Sequence, residues 1–263
     1  MELQVGDQRI YAYTGNRPFR EDQPVLVFLH GASMDHSVWL LQSRYFAHHG
    51  YSVLAVDLPG HGRSGGEALD SIPALADWTA TFLETAGVTQ AALVGHSMGS
   101  LVALETAARH PTRGRALALL GTAVPMPVGP PLLAAAERDD HAAVEMITLW
   151  GLGDRAPLGG NRVPGLWMMG GVERLLERAA PGVLYRDLKA CNDYQHGLES
   201  AARVQCPVQL ILGSEDRMTP VKTARQLQEQ LTGARTVVLD DCGHMMMVER
   251  PDQTLDALIA AGL

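Results

Sequence analysis

Ala91-Ala92-Leu93-Val94-Gly95-His96-Ser97-Met98-Gly99-Ser100-Leu101-Val102-Ala103-Leu104 is the stretch whose reading decides the fold. It opens as a short apolar run, the signature of a buried strand, and passes through Gly95-His96-Ser97-Met98-Gly99 into a segment where Met98, Leu101, Val102 and Leu104 recur at helical spacing up to His110-Pro111. Strand, sharp turn and helix with G-x-S-x-G in the turn present a serine in a strained backbone conformation, its hydroxyl exposed. Gly95 and Gly99 remove the side chains that would collide where strand and helix meet. The helix starts just after Ser97, so unpaired N–H groups and the positive end of the dipole lie beside it.

Outward from this unit the same alternation repeats. Residues 2 to 13 read as an antiparallel hairpin turning at Gly6-Asp7. Pro24 to Leu29, Tyr51 to Asp57 and Ala116 to Gly121 are solid apolar runs suited to strands buried on both faces. Helical segments are expected near Trp39 to His49 and Ala74 to Gly87. Strands alternating with helices imply right-handed crossovers and a mostly parallel sheet covered on both faces, with ligands bound at the carboxyl ends of the strands. His30, Asp57, Ser97 and Gly121 each follow a strand and therefore share that edge.

The pattern breaks from Thr122 to Gln205, which opens on Pro125, Pro127, Pro130 and Pro131 and carries no clear strand. Helices are expected over Ala134 to Trp150, Val172 to Ala180 and Leu184 to Asn192, punctuated by Gly151-Leu152-Gly153 and Gly159-Gly160. Residues 122–205 read as a helical cap inserted into a core made of residues 1–121 and 206–263. Met126, Trp150, Trp167 and Met168 lie in that insertion and are expected to line an apolar substrate pocket, although any one of them could equally hold the cap to the core. The sheet resumes at Pro207 to Gly213 and again at Thr236 to Asp240, with a helix near Val221 to Leu231 between them and a final helix from about Pro251.

The composition, 46% hydrophobic and 19% charged over 263 residues, supplies a sizeable core and argues against disorder. A net charge of −8 disfavours a nucleic-acid or anionic-membrane surface. No apolar run reaches the length of a membrane span, and the first residues have neither the basic nor the apolar region of a signal peptide. Cys191, Cys206 and Cys242 form neither a disulfide framework nor a zinc pattern. A cytoplasmic protein with reduced thiols is expected, with no bound metal or cofactor and with the choice between monomer and homo-oligomer open. Gly60-His61-Gly62-Arg63-Ser64-Gly65 looks like a dinucleotide-binding turn, but Gly65-Gly66 stand where the helix should start, so the turn is read as structural.

Serine is a poor nucleophile at neutral pH and needs a base, which in turn needs a carboxylate to fix its tautomer. Two later strand ends supply both: Asp216 in Gly213-Ser214-Glu215-Asp216 and His244 in Gly243-His244. Together with His30-Gly31, Asp57-Leu58-Pro59-Gly60-His61-Gly62-Arg63-Ser64 and Gly95-His96-Ser97-Met98-Gly99, they run in the order Ser, Asp, His, and the whole chain resembles the α/β-hydrolase family. The resemblance implies an eight-stranded sheet, antiparallel at its start, with a helical cap after the sixth strand. It also favours Asp216 over its neighbour Glu215 and over Asp240 and Asp241, which lie in the histidine's own loop. His30, His61 and His96 look packed or structural, and the other histidines read as surface or cap residues.

An oxyanion hole needs two backbone donors aimed at the developing charge. One is expected at Met98, directly after the serine; the other, by resemblance to relatives with a His-Gly loop, at Ala32, with Ser33 as the runner-up. Where relatives carry an aromatic residue, the small Ala32 leaves room for an acyl group. The resemblance implies a cofactor-independent serine hydrolase acting on a small-molecule carboxylic ester through an acyl-enzyme. Lactonase, thioesterase, C–C bond hydrolase and cofactor-free haloperoxidase or perhydrolase chemistry would use the same triad. Dehalogenation and epoxide hydrolysis are disfavoured because those relatives use a carboxylate where this chain has Ser97. A slow-turnover ligand-binding receptor is the alternative of another class.

Overall fold

The computed structural model describes residues 1–159 and 165–263; Gly160, expected to punctuate the cap, lies outside the described residues. Eight strands form one sheet in the order β1-β2-β4-β3-β5-β6-β7-β8. These are β1 Glu2–Val5, β2 Gln8–Tyr13, β3 Val25–Leu29, β4 Ser52–Val56, β5 Ala91–His96, β6 Gly114–Leu120, β7 Val208–Gly213 and β8 Arg235–Leu239. β1 pairs antiparallel with β2, and β2 antiparallel with β4, whereas every pairing from β4 across to β8 is parallel. The solid apolar runs are the central strands, as both-face burial requires: all five residues of β3 and of β4 and all six of β5 are buried.

Strand pleating divides those runs between two cores. Val25, Val27 and Leu29 of β3, with Ala91 and Leu93 of β5, pack on the face covered by α2 Ile72–Thr85 and α3 Met98–Arg109. Leu26 and Phe28, with Ala92 and Val94, pack on the opposite face with Trp39, with Phe46 of α1 Leu40–Ala47 and with Leu258 of α11 Pro251–Ala260. Ser71 caps α2 by accepting from the Ala74 amide at 3.4 Å, and Pro73 occupies its first turn, where a missing N–H costs nothing.

Between β6 and β7 the described residues form five α-helices: α4 Pro130–Glu137, α5 Ala142–Gly151, α6 Met168–Leu176, α7 Val183–Asp193 and α8 Gly197–Ala201. The single helix expected over Ala134 to Trp150 is two, because Asp139 adopts φ 49° and breaks the run, and Asp140 then accepts from the Ala142 amide at 3.0 Å. α8 had no apolar period long enough to announce it; it packs against α3, with Ala201 in the same core as Leu101 and Leu104. After β7 come α9 Ala224–Gln230 and, past β8, α10 Met246–Glu249 ahead of α11. No helix among the described residues is long and apolar enough to cross a membrane.

Candidate active site

Ser97 stands between β5 and α3 with φ 53° and ψ −119°, the left-handed region that costs a residue with a side chain about 1–2 kcal/mol. The close approach that holds it there is visible at the flanking glycines. A Cβ on Gly95 would overlap the Gly99 carbonyl, and one on Gly99 would overlap the Leu29 carbonyl on the neighbouring strand. Leu120 accepts from the Ser97 amide at 2.9 Å, which fixes the turn to β6.

Asp216 and His244 come from the ends of β7 and β8. His244 Nδ1 donates to Asp216 Oδ2 at 2.8 Å, which leaves Nε2 as the bare nitrogen. Both side chains are buried. Asp216 also accepts from the amides of Met218 and Thr219 at 2.9 and 2.7 Å and from Thr219 Oγ1 at 2.7 Å. Burial opposes its charge, but the adjacent His244 and the Thr219 bonds hold its carboxyl well below the usual range. His244 Nε2 has no hydrogen-bond partner among the described residues; it and Ser97 line one cavity of about 260 Å³.

The remaining lining is mostly apolar: Ala32, Met34, Met126, Pro127, Val128, Leu132, Ile147, Trp150, Leu188 and Met218 contribute, with Arg217 the one permanently charged lining residue. Arg217 is paired with exposed Asp154. Of the four residues expected at the pocket, Met126 and Trp150 lie here. Trp167 and Met168 do not: they line a second cavity with Ser37, Val38 and Arg178. The reason is the start of α6, which buries Met168 in the core beneath it and leaves Trp167 72% exposed.

Met98 is the first residue of α3, so its N–H has no intrahelical acceptor. Ala32 lines the cavity, and its N–H has no acceptor among the described residues. Ser33 has lost its candidacy: its amide donates to Asp187 Oδ2 at 2.7 Å and so faces α7.

Around the site, His96, read from the sequence as packed, is wholly buried, whereas the roles of Glu249 and the Gly151 carbonyl have no sequence signal. His96 Nε2 donates to the His244 carbonyl at 2.9 Å, and burial, helped by His244, pushes the His96 ring down to about 3. Glu249, whose carboxyl burial pushes up, accepts from the amides of Gly153, Gly243 and Met245 at 2.8, 3.2 and 3.2 Å. The amides of His244 and Met245 both donate to the Gly151 carbonyl, at 2.9 and 3.0 Å. The loop carrying His244 is thus held by backbone bonds on both sides, with Met245, Met246 and Met247 wholly buried beneath it.

Among the described residues, two clusters bring metal-ligating atoms together. In Asp35, His36 and Asp57 the oxygens are already committed: Asp57 takes the His36 amide and ring and the Arg63 amide, while Asp35 takes the Ser37 amide and hydroxyl and pairs with Arg178. His36, expected as a surface or cap residue, is thereby tied into the fold. In His141, Glu173 and Glu177 the groups are exposed or half-buried and already paired with one another or with Arg174. Neither cluster lines the Ser97 cavity.

The alpha/beta hydrolase family model matches residues 26–257, and the chain belongs to that family, an enzyme of the hydrolase class. It is 32% identical to the pimeloyl-[acyl-carrier protein] methyl ester esterase of Aromatoleum aromaticum, over 88% of this chain and 95% of that one. It is 26% identical to the (E)-2-((N-methylformamido)methylene)succinate hydrolase of Acinetobacter baylyi, over 91% and 90%. The enol-lactonase of Burkholderia xenovorans LB400 superimposes with a TM-score of 0.86 at 21% identity, covering 99% of each chain, a likeness of fold.

Proposed function

We propose that the protein cleaves a carboxylic ester of a small to medium, partly apolar substrate through an acyl-enzyme. The observation that carries this reading is the His244–Asp216 pair at 2.8 Å, its Nε2 bare beside the cavity that Ser97 lines. Ser97 Oγ attacks the carbonyl carbon while His244 Nε2 takes its proton. The oxyanion is held by the Met98 and Ala32 amides. The C–O bond to the alcohol then breaks, and His244 returns the proton to the leaving alkoxide. Water, deprotonated by the same nitrogen, releases the acid and restores Ser97. Asp216 keeps the ring in the tautomer with Nδ1–H and stabilises the cation formed in each half-reaction.

The cavity volume of about 260 Å³ lies just below the ~300–1,000 Å³ of pockets that enclose drug-sized ligands. That suits a short or medium acyl chain against Met126, Leu132, Ile147 and Trp150. In this reading residues 122–205 form the cap, with α4, α5 and α7 supplying lining residues and α8 lying on the core. Three free cysteines accord with a cytoplasmic protein. Lactone cleavage is the second reading, favoured by the likeness to the enol-lactonase of Burkholderia xenovorans; C–C cleavage would use the same triad.

The test is hydrolysis of a chromogenic ester series of increasing acyl length by wild type and Ser97→Ala, with phosphonate labelling of Ser97. Activity on short and medium chains, lost in the variant, supports the esterase. Labelling without ester turnover moves the reading to lactones and C–C substrates. Activity that survives Ser97→Ala overturns the mechanism.

A further inference from the structure

Asp187 lies on α7, in the segment inserted between β6 and β7, and is 1% exposed. A single carboxylate oxygen, Oδ2, accepts from the Ser33 amide at 2.7 Å and from His61 Nε2 at 2.8 Å. The other ring nitrogen of His61 lies 2.9 Å from the Pro59 carbonyl, which can only accept. Both nitrogens of His61 therefore donate, and the ring is an imidazolium facing a buried carboxylate. Burial opposes that charge, but Asp187 outweighs it and holds His61 above the ordinary histidine value. A buried carboxylate without such a cation would be costly, so the pair is built as a unit.

The bond to Ser33 falls at a consequential place. Ser33 has φ 59°, a left-handed conformation that a serine keeps only when its surroundings hold it. The preceding amide belongs to Ala32, in the cavity. On the other side of the loop, His30 Nδ1 donates to the Gly31 carbonyl at 2.8 Å and His30 Nε2 accepts from the Leu58 amide at 3.1 Å. One end of the loop is thus fixed by the core and the other by α7.

We propose that Asp187 and His61 are positioning residues for the oxyanion loop: through the Ser33 amide they set the direction in which the Ala32 N–H points into the cavity. This rests on the esterase reading of the site. It makes one donor of the oxyanion hole depend on a residue from the inserted segment. Neither Asp187 nor His61 lines the cavity, so their influence falls on the transition state and not on substrate uptake.

The experiment compares wild type, Asp187→Leu, Asp187→Asn and His61→Gln on one chromogenic ester, with hydrogen exchange of the peptide containing Ser33. Removing an oxyanion donor outright costs about 10²–10³ in kcat, so misdirecting one is expected to cost about 10- to 100-fold in Asp187→Leu, with KM changed less than threefold. Affinity for a boronic-acid tetrahedral analogue should fall by the same factor, affinity for the product acid should hold, and the Ser33 amide should exchange faster. Asp187→Asn keeps an oxygen for the Ser33 amide and should recover most of kcat. His61→Gln, which tests the idea if Asp187→Leu does not fold, should show the same split more mildly. A folded Asp187→Leu with wild-type kcat, a kcat loss matched by an equal loss of product-acid affinity, or faster exchange without loss of kcat each overturns the proposal while leaving the esterase intact. Wild-type turnover that does not depend on Ser97 overturns the esterase reading and takes this proposal with it.

Discussion

Gly121→Ala puts the placement of His244 to a quantitative test. Gly121 follows β6 with φ 56°, and a Cβ built on it would lie 2.9 Å from both Cε1 and Nδ1 of His244. Ordinary contact begins at 3.4 Å, so the ring or the Gly121 backbone must yield by 3.4 − 2.9, or 0.5 Å. Neither yields easily. The ring is held by Asp216 at 2.8 Å, and the loop by the Gly151 and His96 bonds, while the Gly121 amide donates to the Ile211 carbonyl at 3.0 Å. A 1 Å misplacement of a reacting group costs about 10²-fold, so half of that predicts a loss of about tenfold in kcat. KM should change little, because Gly121 is not among the lining residues. The left-handed backbone adds about 1–2 kcal/mol of strain, which lowers the melting temperature by about 2–8 °C at this size. Ester hydrolysis and thermal melting read both effects. A folded Gly121→Ala protein with kcat within twofold of wild type would refute the reasoning, because His244 would then tolerate displacement that the proposed mechanism does not allow.

Asp216→Asn should keep the shape of the site but permit the wrong histidine tautomer, lowering kcat by about 10³–10⁴ with a small change in melting temperature; steady-state kinetics on the best ester checks it. Acid should destabilise the fold through two buried neutral histidines before carboxylates of ordinary value titrate. Burial, with His61 adding to it, holds His30 at about 4, and His96 lies at about 3, both below the unfolded value of 6.5, so the unfolded chain binds more protons as pH falls. Their contribution is complete above pH 6.5 and is lost from there toward pH 4. His61 and the exposed His141, both raised, work the other way, His141 only weakly because solvent screens its partners, whereas Asp216, lowered, adds its loss only below about pH 3.8. Melting temperatures at pH 7.5, 6 and 5 should fall in that order, and a flat profile would contradict the burial of the two neutral rings. Trp150→Ala should widen the range of acyl chains accepted, while Trp167→Ala, in the separate cavity, should leave the acyl-length profile of kcat/KM unchanged.

What the sequence discloses depends on whether the partner of a residue has an identity. The apolar runs that become β3, β4 and β5 announce themselves because both faces are buried, and Ser97 and Asp216 are legible because each follows such a run, whereas His244 follows the half-exposed edge strand β8 and is legible from the Gly243-His244 pair. The groups that hold them are different. Glu249 binds three backbone amides, His96 a backbone carbonyl and Asp187 a backbone amide 154 positions away, and a main-chain partner leaves no mark on the sequence. Trp167 and Met168 are expected at the pocket from their residue type and their place in the insertion, yet adjacent residues at a helix start project differently, one into the core and one toward solvent. The break at Asp139 leaves no mark on the sequence because the apolar positions Leu132 and Ala136 before it and Ala143 and Ile147 after it continue at helical spacing.

The bonds from Gly151 to the histidine loop bear on how any substrate could be admitted. The Gly151 carbonyl receives two amides of that loop, and Glu249 clasps Gly153 to Gly243 and Met245. The carboxyl end of α5 is therefore riveted to the strip that carries His244, and a doorway opening there would drag the base out of line with Ser97. On the side of the cavity bounded by Met126 to Gly129 the ties are to other elements: the Val128 amide donates to Asn192 Oδ1 on α7 at 3.2 Å, and Met126 packs in the core that holds Met98. The end of α5 is in this sense a buttress behind the histidine, and the order of the site reaches into the segment between β6 and β7.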